Sequence, residues 1–237
     1  MAVATRGDLI RHTSRSIGLD DTVGSDEQLL MIDWADEAVR DVLLETRCTI
    51  TTATPSLTAS QGTYSWATLI GSPALQILNI QGTYAGNKKK MARVSIEDIL
   101  DFRLASSAND VPRYFAAEGD LLEIYPSPGT GVTLTVYYIK QPSIMDTDAR
   151  DFTTATYGGI PVYATTTVLD HMLWRAASYD DKRAPHTPKE YRQFYDQSLI
   201  RVRKRVRRMG GRELNRMQAG YPDKLIGQQR NDIYPDR

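Results

Sequence analysis

Near both ends of the chain apolar residues recur at helical spacing, and through the middle they alternate at strand spacing. Leu30, Trp34, Ala38 and Val42 stand four apart, with Met31, Ala35, Val39 and Leu43 beside them; Asp33, Glu37, Arg40 and Asp41 fill the other side. That is the stripe of an amphipathic helix. Ser25 and Gln28 have capping-box spacing at its start. A shorter helix is predicted over residues 5–17, stopped by Gly18. After Arg47 the character changes. Residues 49–54 are β-branched and end at Pro55; residues 62–66 and 75–84 read as strands; 114–118 and 121–125 flank Gly119-Asp120 as a hairpin; 132–139 is rich in β-branched and aromatic side chains. Turns are predicted at Ala85-Gly86-Asn87-Lys88 and Pro126-Ser127-Pro128-Gly129, with a short helix over 95–104 between them.

Helical spacing returns near Ile160, where Val162, Leu169, Leu173 and Ala176 mark one face. Thr187 and Glu190 form a second capping-box pair, with Pro188 at the first helical position. Tyr191, Tyr195, Leu199, Val202, Val206 and Met209 then carry a stripe down the last helix, and Gly210-Gly211 is the predicted stop. The expected fold class is α+β. Residues 1–47 and 160–209 form a helical bundle, 48–145 are a β-rich inserted domain, and 210–237 are an extended C-terminal arm. Trp34, Val42, Leu169, Leu173 and Leu199 are expected in the core.

Composition adds limits. With 41% hydrophobic residues the chain can bury a core. Cys48 is the only cysteine, which excludes an internal disulfide and a cysteine-based zinc site. No apolar run is long enough for a membrane span, and residues 1–9 lack the apolar segment of a signal peptide. Net charge is zero, yet residues 1–200 hold 18 Lys+Arg against 25 Asp+Glu, whereas 201–237 hold 11 against 4. An acidic body and a basic end imply different partners.

Catalytic patterns are missing. None of His12, His171 and His186 has a second histidine or a cysteine at ligand spacing. Asp146, Asp148 and Asp151 resemble part of a calcium loop without its glycine or closing glutamate. Gly129-Thr130-Gly131 lacks the helix that would cradle a phosphate. Glu97-Asp98 reads as a helix start, and Lys88-Lys89-Lys90 as a solvated loop. No catalytic residue, cofactor or metal is expected.

Two features point to partners instead. Arg201, Arg203, Lys204, Arg205, Arg207, Arg208 and Arg212 place seven cations in twelve residues. They suit an acidic protein surface, where guanidinium forks pair with carboxylates, or DNA phosphates, or simply a solvated helix end. Beyond them, Tyr221, Leu225, Ile226, Ile233 and Tyr234 are spaced along a polar, Gly- and Pro-containing tail. Such anchors suit an arm that orders on a partner, and Arg212, Arg216 and Arg230 would add charged contacts.

The run Leu29-Leu30-Met31-Ile32-Asp33-Trp34-Ala35-Asp36-Glu37-Ala38-Val39-Arg40-Asp41 resembles the second-helix signature of tailed-phage head-to-tail adaptor proteins. So does Tyr114-Phe115 followed by Gly119-Asp120-Leu121-Leu122-Glu123-Ile124-Tyr125-Pro126-Ser127-Pro128 and Val136-Tyr137-Tyr138-Ile139-Lys140-Gln141-Pro142. The resemblance implies a non-enzymatic virion protein at the head–tail interface, assembled in the host cytoplasm. It implies a ring, typically of twelve copies, bound to the portal protein through the arm and offering a platform to a tail or nozzle protein. DNA would pass through its channel without sequence-specific binding, and no membrane would be involved. The alternative left by the residues alone is a DNA-binding protein using the basic helix end; an enzyme with an unrecognised site comes third.

Overall fold

The computed structural model describes residues 3–105 and 109–218, leaving aside the side chains of Asn109 and residues 210–218. In chain order the elements are helices α1 (Arg6–Ile17) and α2 (Asp26–Thr46), strands β1 (Thr51–Ala53) and β2 (Thr63–Ser65), and helix α3 (Trp66–Ile70). Strands β3 (Ala74–Tyr84), β4 (Asn87–Lys90) and β5 (Ala92–Arg93) precede helix α4 (Ile96–Ala105). Strands β6 (Asn109–Asp110), β7 (Tyr114–Glu118), β8 (Leu121–Tyr125), β9 (Ser127–Pro128) and β10 (Thr133–Lys140) follow. A 3-10 turn (Val162–Ala164) leads into α5 (Thr165–Tyr179), and α6 (Pro188–Gln218) is the last among the described residues.

Helix starts are set by side chains. Thr5 accepts from the Asp8 amide at 3.1 Å, and Asp8 accepts in return from the Thr5 amide at 3.3 Å. Ser25 accepts from the Gln28 amide at 3.1 Å as its spacing predicts, but the Gln28 side chain accepts from Gly24, at 2.7 Å, rather than completing the box on Ser25. At α6 the predicted pair is complete, with Thr187 accepting from the Glu190 amide and Glu190 accepting from the Thr187 amide.

Helices from both ends of the chain share one core. Leu9, Ile10 and Ile17 of α1, Met31, Ala35, Ala38, Val39 and Val42 of α2, Val168, Met172 and Ala176 of α5, and Tyr195, Leu199 and Val202 of α6 are buried together. Trp34 and Val42 are buried as expected; Leu169 and Leu173 are only half-buried, and Val162 is 72% exposed. The inward face of α5 is turned by one residue from the predicted one, because the buried row runs through His171 and Met172.

The β block has its own core of Leu57, Tyr64, Trp66, Ile80, Met91, Phe115, Leu122, Ile124, Leu134, Val136 and Tyr138. Its two main sheets run β1-β10-β3-β4 and β2-β8-β7-β5. Strands β7 and β8 pair antiparallel across Gly119-Asp120, with Gly119 at φ +55°, where a glycine is favoured. Trp66 begins a helix instead of ending a strand, since the Asp120 carboxylate accepts from the Ala67 amide at 3.2 Å and the Asp120 carbonyl from the Trp66 amide. Ile139 of β10 belongs to the helical core, with Leu75 and Leu78 of β3 packed against it. Register shifts in the β10–β3 pair at Tyr137/Tyr138 and Ile139/Lys140 fit this change of side.

Gly210-Gly211 does not stop the last helix, whose backbone runs on to Gln218. Each glycine costs about 1 kcal/mol relative to alanine, a cost that the strong helix formers in the segment after them (Arg212, Glu213, Leu214, Met217, Gln218) can carry. The helix therefore runs past the end that its glycines suggest.

Candidate functional site

The cations of the basic helix end divide between two sides of α6. Arg201, Lys204, Arg205 and Arg208 are exposed at spacings of three and four, so they share one face, and with Tyr163 they line an open groove. The Arg205 guanidinium lies 4.4 Å from the centroid of the Tyr163 ring. Arg201 acts on Asp170: burial raises that carboxyl above its ordinary value, while a hydrogen bond from Ser198 and the Arg201 charge oppose the rise. Ile200 and Met209 flank the basic face, each 49% exposed. Met209 was expected inside the apolar stripe; that stripe ends with buried Val202 and half-buried Val206.

Arg203 points the other way. It donates from Nε to the Glu45 carbonyl at 2.8 Å and pairs with the Glu45 carboxylate. That charge joins the last turn of α2 to α6, where a cation also satisfies a terminal carbonyl. Arg207 also engages in an interaction of its own. Arg201, Lys204, Arg205 and Arg208 thus share the groove face, and Arg203 does not.

Glu45 is one step of a ladder that sequence reasoning missed. Glu37, Asp41 and Glu45 stand four apart on α2; Glu37 pairs with Arg175 at 2.9 Å, and Asp41 with His171 Nε2 at 3.0 Å. His171 is fully buried, and its ring meets Trp174 and Tyr195 edge-on. Burial lowers its pKa, against the pull of Asp41 and Glu37. The neutral ring donates through Nε2, because a carboxylate can only accept, which leaves the buried Nδ1 without a partner among the described residues. The Tyr195 hydroxyl is also buried and has no partner among the described residues, and burial pushes its pKa up. Glu37, Asp41 and His171 offer ligand atoms within 4.8 Å of one another. The Arg175 guanidinium already occupies Glu37, and a divalent cation there would face that charge; the cluster reads as a helix-to-helix tie.

The other sequence candidates have structural roles. Asp148 pairs with buried Arg6 at 2.7 Å, and Arg6 also donates to the Met145 carbonyl at 2.5 Å. Asp146 pairs with Arg150 at 2.6 Å, and Asp151 accepts from the Thr153 amide at 2.8 Å. Lys88, Lys89 and Lys90 lie exposed on β4, an edge strand, where charge discourages pairing with another sheet.

A second surface is on α4. Ile99, Phe102 and Arg103 face the second sheet; Phe102 sits between the rings of Tyr114 and Tyr125, and Arg103 pairs with Glu123 at 2.5 Å. Outward, Glu97, Leu100, Asp101 and Leu104 share one exposed face, with Leu104 86% and Leu100 49% exposed.

Residues 4–217, which hold all of these elements except the last residue of α6, match a family model described as SU10 adaptor protein. The chain belongs to the SU10 adaptor protein family. No curated protein matches it. A phage adaptor is a structural protein of the virion, and such families are not normally enzymatic. Among the adaptor's described residues, no helix is long and apolar enough to cross a membrane. Of the arm positions, Arg212 and Arg216 fall on the backbone of α6 with side chains that are not described, and Tyr221, Leu225, Ile226, Arg230, Ile233 and Tyr234 lie outside the described residues.

Proposed function

We propose that the chain is a ring-forming head-to-tail adaptor that docks on the portal protein, prolongs the DNA channel and presents a platform to a tail or nozzle protein. The observation that carries this reading is the adaptor family match over residues 4–217. The site chemistry agrees with it. Asp41 with His171, Glu37 with Arg175 and Glu45 with Arg203 tie helix to helix, and the groups left exposed suit contacts with other proteins. Twelve copies, each with an acidic body, would give the channel a negative wall past which DNA slides without counter-charges to hold it. Portal docking falls in this reading to the segment from Arg212 onward, through Tyr221, Leu225, Ile226, Ile233 and Tyr234, with Arg212, Arg216 and Arg230 as charged contacts.

A free DNA-binding function has less behind it. Arg203 is committed to Glu45, and the four cations of the open face are flanked by exposed Ile200 and Met209, which a phosphate backbone would not use. The test is to mix the purified chain with portal rings and image the product. A stacked second ring on the portal is expected; unassociated rings and chains would remove the reading.

A further inference from the structure

We propose that the outward face of α4 on one copy docks on the basic face of α6 on the next copy, and that this head-to-tail contact closes the ring. The inference rests on the adaptor reading and names the surfaces through which copies meet. Glu97 and Asp101 lie with Leu100 and Leu104 on α4; Arg201, Lys204, Arg205 and Arg208 lie with Ile200 and Met209 on α6. One surface is acidic and apolar, the other basic and apolar. Each runs across seven residue steps, Glu97 to Leu104 and Arg201 to Arg208, about 10 Å at the rise of a helix.

Among the described residues both faces are largely open, although the Arg205 guanidinium lies over the Tyr163 ring and the Arg201 charge reaches Asp170. Leu104 is 86% exposed although α4 buries its opposite side on β7 and β8, and α6 packs on α5 and α2 through the side opposite its basic face. Single exposed leucines are ordinary, but two on adjacent turns framed by carboxylates make a patch. The two patches differ from each other, so a contact between them is heterologous: every copy offers one and receives one. Such contacts make rings when the rotation closes. Opposite charge selects the register, and the leucines against Ile200, Met209 and the aliphatic stems of the arginines supply apolar burial.

The test is sedimentation of the full chain over a range of concentration and salt, with imaging of the assemblies. Glu97→Arg with Asp101→Arg is one variant, and Arg201→Glu with Arg205→Glu the other; melting curves confirm that both fold. Each alone should weaken self-association by about tenfold or more, since opposed charges become like charges. Mixed together, or with all four changes in one chain, they should restore it. If rings persist in both variants, or the combined chain stays apart, the surface assignment is wrong while the ring reading stands. If the unaltered chain never associates, alone or on portal rings, both fall. If Arg201→Glu with Arg205→Glu leaves association intact and abolishes salt-sensitive retention of duplex DNA, the basic face belongs to nucleic acid.

Discussion

His171 combines full burial with a carboxylate partner and a bare second nitrogen. Its folded pKa lies below 6.5, with burial the largest cause. The unfolded chain therefore binds a proton more readily, and stability from the neutral ring is whole above pH 6.5 and falls as pH drops below that value toward the folded pKa. Urea midpoints should decline between pH 7.5 and 5.5, and His171→Gln should flatten that decline; an unchanged slope would show that another group is responsible. Asp36 and Asp170, both raised by burial from an ordinary value of 3.8, act in the opposite sense, favouring the fold as pH falls through their raised pKa values. Trp34 tests packing. It is buried and meets the Tyr179 ring at 5.8 Å, so Trp34→Ala should cost about 3–5 kcal/mol in denaturant unfolding.

At the scale of elements, the capping pair at Thr187 and Glu190 holds the start of α6. Thr187→Ala should cost about 1 kcal/mol without changing the spectrum of the folded chain, measured by denaturation followed by circular dichroism. Such caps were legible because they depend on residues three apart. So was the β7–β8 hairpin, whose bounds match the expectation of 114–118 and 121–125, because alternation and the Gly119-Asp120 turn agree. The inward face of α5 was not legible: Thr165, Thr167 and His171 are polar residues that tertiary packing buries. The end of α6 was misread because two glycines weaken a helix without forbidding it. The Glu37–Asp41–Glu45 spacing is visible in the sequence, but its partners on α5 and α6 lie well over one hundred positions away. Tyr163 beneath Arg205 carries no local signal either.

For the whole molecule, a chain ending at Gln218 should keep its melting temperature and lose binding to portal rings in co-sedimentation. The nineteen residues removed would reach about 60 Å when extended, enough to cross onto a neighbouring ring. Tyr221→Ala with Tyr234→Ala should weaken binding while leaving the melting curve in place. Undiminished binding would transfer the docking role to the basic face of α6. The helical core and the β core meet where β3 and β10 carry Leu75, Leu78 and Ile139 into the bundle, so a load on one is felt by the other.

Strand β1, by which the chain leaves the bundle, pairs antiparallel with β10, by which it returns, Thr51 standing opposite Tyr138. The gap that a deletion of the block would leave is thus one strand spacing, about 5 Å. A gene cut at the codons for two such neighbours would remove or insert the whole β block across that short gap. Recombination between viral genomes is free to trade that piece as a cassette, provided that Ile139 and the stretch from Leu75 to Leu78 come with it or are replaced by residues that can meet water.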